Sequence, residues 1–187
     1  MPPRVKCAAS TRDAMLESAR RHFLRESYEN VGLREIAGDV GVDVALVGRY
    51  FGSKEKLFQE VLEELRCDWL DDDIEADELP SFLASLALNK EEEKGREDLQ
   101  RFLIILRSAS SQLASEVVQT ALREDVIEPL ASRLSGPRAE MRAAMAASIC
   151  TGMIVMRTFL RVEPLNECDE HELENKLSKM LKDVLAV

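Results

Sequence analysis

Residues 33–58, LREIAGDVGVDVALVGRYFGSKEKLF, carry two short helical patterns on either side of a glycine, followed by the start of a third helix. Gly41 falls at the corner between the first two helices, where the chain needs a positive φ that glycine adopts without steric cost. Ala37 is small enough for two helices to cross closely beside it. This layout predicts a helix-turn-helix, the arrangement that sets a second helix into the major groove of DNA. The expected inward face is formed by Ile36, Val40, Val42, Val47 and Tyr50.

The segments on both sides of this stretch extend the pattern. An amphipathic helix, TRDAMLESARRHFLRESY, precedes it over 11–28, and the run RYFGSKEKLF closes it. With these flanks, residues 10–62 resemble the DNA-binding head of the tetracycline-repressor (TetR) family of bacterial regulators. The most specific matches are IAGDVGV at 36–42 and YFGSKE at 50–55. Beyond residue 62 the likeness consists of a helical pattern and of RVEPL at 161–165.

The resemblance implies an all-α fold in two parts. A helix-turn-helix DNA-binding domain of three helices is expected over 1–56, and a helical domain that binds an effector and dimerises is expected over 57–187. Composition agrees with this division, because 187 residues with 45% hydrophobic content can bury one good core and a smaller one. Aromatic residues make up only 5%, which favours helices packed on helices over a β-sandwich.

Several classes of protein are disfavoured by what the sequence lacks. It has no uninterrupted run of about 18 apolar residues and no signal-peptide centre in MPPRVKCAAS, so a cytoplasmic protein is expected. No nucleophile–base pair or glycine-rich phosphate loop is present, which disfavours an enzyme. The histidines stand alone, and the cysteines lack the spacing of a zinc site or a disulfide framework, so no metal and no cofactor is expected. Reduced structural thiols are favoured over a redox sensor at Cys7, Cys67, Cys150 and Cys168.

Charge is divided unevenly along the chain. Residues 1–60 carry ten Lys and Arg against nine Asp and Glu, whereas the remainder carries 15 against 26. The net charge of -10 argues against a protein that coats nucleic acid indiscriminately, because such binding depends on phosphate neutralisation. A locally basic head remains compatible with it, since the expected excess of acid lies in the body. The basic residues of the head include Arg4, Lys6, Arg12, Arg34, Arg49, Lys54 and Lys56.

Periodicity and cap residues predict where the helices lie. The head is expected to hold helices at about 10–26, 33–39 and 44–50, the first capped by Ser10 or Thr11 and the third by Asp43. A fourth helix, capped by Ser53, is expected to continue toward Trp69 and to join the head to the body. Helices of the body are expected at about 80–89, 98–114, 116–134, 138–162 and 169–186. Pro137 fits a first helical turn and Pro164 a helix stop. The acidic segments 71–80 and 91–97 are expected to be solvated connections.

The last two helices have apolar faces that admit two interpretations. Segment 138–162 is rich in Ala, Ser, Gly and Met, and the final helix has one apolar stripe. These faces either form the interface of a homodimer or pack inside the monomer, and the residues alone favour neither. The family resemblance implies the dimer. The stripe of the final helix is formed by Leu173, Leu177, Met180, Leu181 and Val184.

The resemblance and the geometry of a recognition helix together select candidate DNA contacts. A helix beginning at Val44 exposes Val44, Ala45 and Arg49. Arg49 can pair with guanine, and the two apolar side chains can touch a thymine methyl group. Contacts to phosphate are expected from Arg34, Tyr50 and Lys54. For Tyr50 inward packing is an equal alternative, and for the basic residues the alternative is an ordinary solvated charge.

Two glycines depart from the family pattern. Gly32 stands where the family usually has a threonine that caps the second helix and touches a phosphate, so only its backbone N–H can serve there. Gly48 replaces a common aromatic residue of the recognition helix. The alternative function is therefore a helical interaction or dimerisation protein with weakened or lost DNA binding.

In the family, the body holds a small molecule whose binding alters the separation of the two DNA-binding heads. The resemblance thus implies a ligand-responsive transcriptional regulator, favoured as a repressor that a small molecule releases from an inverted-repeat operator. Arg107 or Gln112 is the expected polar contact to an apolar or amphipathic effector, and an ordinary filled core is the alternative. The candidate lining residues are Phe102, Ile105, Leu106, Ala109, Gln112, Ile149, Met153 and Met156.

Overall fold

The computed structural model describes residues 8–66, 69–88 and 95–187, and every regular element in these ranges is a helix. The all-α fold class is thereby confirmed. The elements are α1 (Ala8–Arg25), α2 (Leu33–Val40), α3 (Val44–Phe51), α4 (Lys54–Glu64), α5 (Leu79–Ala87), α6 (Gly95–Ser108), α7 (Ser115–Leu122), α8 (Glu128–Ser132), α9 (Ala139–Ile154), α10 (Glu163–Asn166) and α11 (Glu170–Leu185). Two π-helical segments continue neighbouring helices: Arg123–Ile127 joins α7 to α8, and Val155–Phe159 extends α9. Arg4, Lys6, Cys7, Cys67 and most of the segment 91–97 lie outside the described residues.

The helices form two compact units. One unit contains α1 to α4 together with nearly all of α6 and α7, and the other contains α5 and the elements from residue 122 onward. The predicted boundary between residues 56 and 57 stays a prediction, because these units divide the chain by contacts and interleave along it.

An aromatic cluster forms the centre of the first unit. The ring of Phe58 lies edge-on to Phe23 and to Tyr28, with centroids 4.9 Å and 5.1 Å away. Ile36 and Ala37 of α2 and Val47 of α3 are buried, as the helix-turn-helix pattern predicts. The other expected inward residues, Val40, Val42 and Tyr50, are only half-buried, and Phe51 is buried in their place.

The second unit is built around α5, α9 and α11. Leu79 and Leu83 of α5 share one buried cluster with Leu177 and Leu181 of α11. Arg142 of α9 is buried, and its guanidinium donates to the carbonyl of Leu185, 2.6 Å away, and to the carbonyl of Ser135. A charged donor satisfies two carbonyls at once and so fixes the end of α11 against the loop that precedes α9.

Pro129 explains the irregular helix between α7 and α8. Proline has no N–H, so it cannot make the bond to the carbonyl of Asp125 that a regular helix requires at this position. The indole N–H of Trp69 donates to that carbonyl instead, at 2.6 Å. The π-helical turn at Arg123–Ile127 ends two residues before the proline, which is the second residue of α8. A side chain from a distant segment thus replaces a missing backbone donor.

Several predicted helix ends are wrong, for identifiable reasons. Ser10 and Thr11 lie inside α1, which begins at Ala8 and not at either of them. The fourth helix ends at Glu64, short of Trp69. Pro164 begins α10 where a helix stop was expected, because a first-turn residue needs no N–H donor. Pro137 precedes α9 by two residues and lies outside its first turn.

Within the acidic segment 71–80, residues 71–78 are exposed except at Ile74, in agreement with a solvated connection. Leu79 and Pro80 do not fit that expectation, because they are buried in the first turn of α5. The backbone of the exposed part is nevertheless held in place, because the guanidinium of Arg133 donates to the carbonyls of Asp71 and Asp72 at 3.3 Å and 3.0 Å. Arg133 also forms an ion pair with the Asp72 carboxylate.

Candidate nucleic-acid interface

The turn between α2 and α3 has the geometry that the sequence predicts. Gly41 adopts φ 72° and ψ 39°, the left-handed conformation that favours glycine. The N–H groups of Gly41 and Val42 bond to the last carbonyls of α2, those of Gly38 and Ala37. The carboxylate of Asp43 then accepts from the N–H of Ala45 at 2.8 Å and caps α3. Hydrogen bonds therefore fix both the end of α2 and the start of α3.

One side of α3 is open to solvent. Val44 is 36% exposed, and Ala45, Gly48 and Arg49 are exposed as well. At the helical rotation per residue these positions span an arc of about 140°. Val47 and Phe51 occupy the opposite side and are buried. α3 therefore presents a narrow surface with a single positive charge among small or apolar groups.

The glycine in the recognition helix leaves free space around it. A Cβ atom added at Gly48 would meet no atom within 4 Å. The protein itself therefore does not require glycine at this position.

Gly32 caps α2 through its backbone. Its N–H donates to the Glu35 carboxylate at 3.1 Å, which closes a hydrogen-bonded ring over the first turn. The N–H that the sequence left available for a phosphate is thus already bonded within the protein. Arg34, the next candidate on α2, is exposed.

Lys54 is held by residues that the sequence analysis did not associate with it. Its ammonium lies 4.5 Å from the centroid of the Tyr28 ring and donates to the carbonyl of Glu29 at 3.4 Å. Burial lowers the pKa of the Lys54 ammonium, and the Glu29 carboxylate opposes that shift. Burial likewise raises the pKa of the Tyr28 hydroxyl, followed by the charges of Glu55 and Glu29. The cation is thereby positioned at the start of α4, beside the N-cap Ser53.

Side chains of α1 connect the three following helices. Arg12 forms an ion pair with Glu60 of α4, and its guanidinium carbon lies 5.0 Å from the ring centroid of Phe51 in α3. Ser18 donates to the Asp39 carboxylate of α2 at 2.7 Å. This hydrogen bond, together with one from His22, lowers the pKa of Asp39. Residue spacing did not identify these braces, because their partners lie between 17 and 48 residues apart.

The candidate effector contacts fall into two sets. Ile105 is buried and Phe102 half-buried on α6, whereas Leu106, Ala109 and Gln112 are exposed. Ile149 and Met153 are half-buried on α9, and Met156 is 39% exposed in the π-helical segment. The first set belongs to the unit of α1 to α4 and the second set to the other unit. Sequence analysis missed Gln100 and Ser108 of α6, whose side chains have buried polar atoms.

The proposed polar contact Arg107 has another role. Its guanidinium donates to the carbonyl of Arg25 at 3.1 Å, so it connects α6 to the last residue of α1.

Cys150 is unsuited to redox chemistry, since burial raises the pKa of its thiol to about 12. Within the described residues, no three His, Cys, Asp or Glu side chains are grouped to hold a metal ion.

The chain matches two family models. Residues 15–61 match the model described as bacterial regulatory proteins, tetR family, and residues 77–185 match the tetracyclin repressor-like C-terminal domain. No curated protein is similar to the chain in sequence.

Solved structures of regulators have the same fold. NalD of Pseudomonas aeruginosa, the secondary repressor of the MexAB-OprM multidrug efflux pump, is 17% identical and has a TM-score of 0.65, with 96% of this chain and 98% of that chain covered. A tetR family transcription regulator from Shewanella sp. PV-4 is 15% identical with a TM-score of 0.67 and covers 95% and 98%. GusR of Salmonella enterica is 17% identical with a TM-score of 0.65 and covers 98% and 99%.

Proposed function

The chain belongs to the TetR family of bacterial DNA-binding regulators, and from this premise we propose that it is a homodimeric cytoplasmic repressor that a small molecule releases from an inverted-repeat operator. It is a ligand-responsive transcriptional regulator as a member of that family. The observation that supports its mode of DNA reading is the solvent-exposed arc of α3, which follows a turn held by hydrogen bonds. We retain the division into a DNA-binding domain over 1–56 and an effector and dimerisation domain over 57–187 as part of this proposal.

The exposed arc of α3 suggests which bases are read. Arg49 has the planar donor fork that pairs with the O6 and N7 atoms of guanine. Val44 and Ala45 have only apolar surface, which matches the methyl group of thymine. Arg34, Tyr50 and Lys54 are assigned to phosphate and set the register of the head without reading sequence. We therefore expect each half-site to contain one essential guanine next to thymines.

An operator can be isolated by selection from random duplex DNA, and Arg49→Ala then tests this assignment. The variant should lose about 1–3 kcal/mol of binding free energy and lose its preference at one base position in each half-site. Arg123→Ala is the matched control, because Arg123 is 71% exposed in the second unit and pairs with Glu128. Uniform weakening on all duplexes would instead assign Arg49 to phosphate, and unchanged binding would remove α3 from the interface.

An unpartnered stripe on α9 and its π-helical extension supports dimerisation. Met141, Met145 and Met156 are 48%, 47% and 39% exposed. They recur at helical spacing together with the exposed residues Ser148 and Gly152, so all five lie on one face. Met180 of α11, which the sequence placed on the same stripe as Leu177 and Leu181, is instead 54% exposed. Methionine adapts its shape to a partner surface, and glycine lets a second helix approach closely.

A second copy of this chain fits the stripe better than a lipid bilayer does. Among the described residues, Ala139–Phe159 is the one helix long and apolar enough to span a membrane, and 17% of it is buried. Its other side is committed to protein, since Ala143 and Ala146 are fully buried and Arg142 is buried with its carbonyl partners. TetR-family regulators dimerise, and two-fold symmetry would set the heads about one helical turn of DNA apart, roughly 34–36 Å, or slightly more.

Arg107 offers a route by which an effector can reach the head. It lies on α6, within the segment assigned to effector binding, and holds the final carbonyl of α1. A ligand that shifts α6 would therefore move the helix that braces α2, α3 and α4. The coupling between the ligand and DNA sites needs to be only about 1–3 kcal/mol, a five- to 150-fold change in affinity.

A further inference from the structure

The buried side of α6 is unusually polar. Ile104 and Ser108 are both 0% exposed, and their spacing of four residues puts them on one face. Ser111, which lies beyond the end of α6, is 1% exposed. Gln100 lies one turn before Ile104 on this face, and its Oε1 atom is buried. We call Gln100, Ile104 and Ser108 the α6 polar face.

Two oxygen atoms of the α6 polar face lack a hydrogen-bond partner among the described residues: Oε1 of Gln100 and Oγ of Ser108. Ser111 differs, because its hydroxyl accepts from the N–H of Ala114 at 3.1 Å. A buried polar atom without a partner destabilises a fold by about 1–3 kcal/mol, and such atoms are few in native proteins. Two of them on one helical face mark a place where a bound molecule would complete the bonding.

We propose that the α6 polar face binds the effector, and that the effector is a neutral amphipathic molecule with an O–H or N–H group that donates to Gln100 and a second polar group that bonds to the Ser108 hydroxyl. This inference rests on the proposed function, of which it specifies the ligand class. Oε1 of Gln100 is an acceptor only, so the ligand must supply the hydrogen there. The eight helical steps from Gln100 to Ser108 correspond to about 12 Å along the helix, and the apolar side chain of Ile104 lies between the two residues. The ligand therefore has a donor at the Gln100 end, a polar group at the Ser108 end and an apolar middle.

The polar contacts suggested by the sequence fit this role less well. Arg107 and Gln112 are exposed, and Arg107 already donates to the carbonyl of Arg25. Gln100 and Ser108 differ from them in having buried atoms whose bonding is incomplete.

The experiment uses straight-chain α,ω-diols, from butanediol to decanediol, and their dimethyl ethers as probes of the full-length protein. A diol has a donor at each end, whereas its ether has the same chain and only acceptors. At least one diol should raise the melting temperature of the protein saturably, and its ether should not. Equal shifts from diol and ether, or no saturable shift from any diol, would overturn the proposal.

Matched variants locate the binding site. Ser108→Ala and Gln100→Met should each weaken diol binding about five-fold, the usual effect of losing one hydrogen bond. Ser110→Ala and Gln119→Met make the same chemical changes at exposed positions outside the α6 polar face and should leave diol affinity unchanged. Without diol, Ser108→Ala should melt no lower than the parent protein, because it removes an unbonded hydroxyl. Equal effects of the buried and exposed substitutions on diol affinity would contradict the site.

Operator binding separates this inference from the proposed function. If a diol binds through Gln100 and Ser108 but leaves operator affinity unchanged, the site stands and the proposed release by a ligand fails. If a diol releases the operator with no dependence on these residues, the release stands and the site is wrong.

Discussion

At the scale of single residues, the fold requires glycine at position 41 but not at position 48, seven residues later. Gly41 needs its left-handed backbone to turn the chain between α2 and α3. Gly48 lies inside α3, with open space where a side chain would be. The sequence identified the first requirement because a glycine at a helix corner has a local cause. It could not establish the second, because free space depends on packing.

Alanine substitutions at these glycines should change stability in opposite directions. Gly48→Ala should raise the free energy of unfolding by about 1 kcal/mol, the difference in helix propensity between the two residues. Gly41→Ala should lower it by roughly 1–2 kcal/mol, since a Cβ atom is strained in the left-handed region. Urea unfolding of both variants followed by circular dichroism measures the difference. A loss of stability in Gly48→Ala would mean that α3 needs glycine for a reason internal to the protein.

At the scale of helices, the parts predicted from the sequence are those with local causes. Asp43 and Ser53 cap α3 and α4 as predicted, because a cap bonds to the backbone two or three residues away. The contact of the Lys54 ammonium with the Tyr28 ring and the bond of the Trp69 indole to the Asp125 carbonyl join distant segments, so residue spacing could not predict them. The α3 candidates are accordingly exposed as the motif suggests, whereas the environment of Lys54 became visible only in the folded chain.

The pairing of Trp69 with the proline-broken helix can be tested by a double-mutant cycle. Trp69→Phe removes the indole donor from the carbonyl of Asp125 and should lower the free energy of unfolding by about 1–3 kcal/mol. Pro129→Ala supplies a backbone N–H at the position that a regular helix uses for this carbonyl. The Trp69→Phe substitution should therefore be less destabilising in the Pro129→Ala background. Strictly additive effects in thermal or urea unfolding would mean that the indole and the missing N–H do not substitute for each other.

At the scale of the whole molecule, the uneven charge determines which part of the chain is expected to approach DNA, and the α9 stripe is the surface on which two chains are expected to associate. The acidic body, with 15 basic residues against 26 acidic ones beyond residue 60, should be repelled by DNA and leave the head to approach it. The choice between a dimer interface and internal packing could not be made from the sequence. In the structure the two faces differ in exposure, because Leu177 and Leu181 of α11 are buried in the monomer whereas Met145 of α9 is 47% exposed.

A charge placed on the α9 stripe should dissociate the dimer. Met145→Arg puts a guanidinium into an interface that would otherwise be apolar, so light scattering should give the mass of one chain at micromolar concentration. Leu113→Arg is the control, because Leu113 is 70% exposed outside this stripe and its replacement should leave the dimer mass unchanged. A folded Met145→Arg protein with the mass of the dimer would move the interface elsewhere.

The most direct measurement of sequence-specific regulation is an equilibrium titration of two duplexes at one salt concentration near 0.15 M, roughly the physiological value. One duplex is the selected inverted repeat, and the other has the same bases in scrambled order. We predict that two chains bind the inverted repeat at least about 10³-fold more tightly than the scrambled duplex. Equal affinity for the two duplexes would contradict a sequence-reading role for α3.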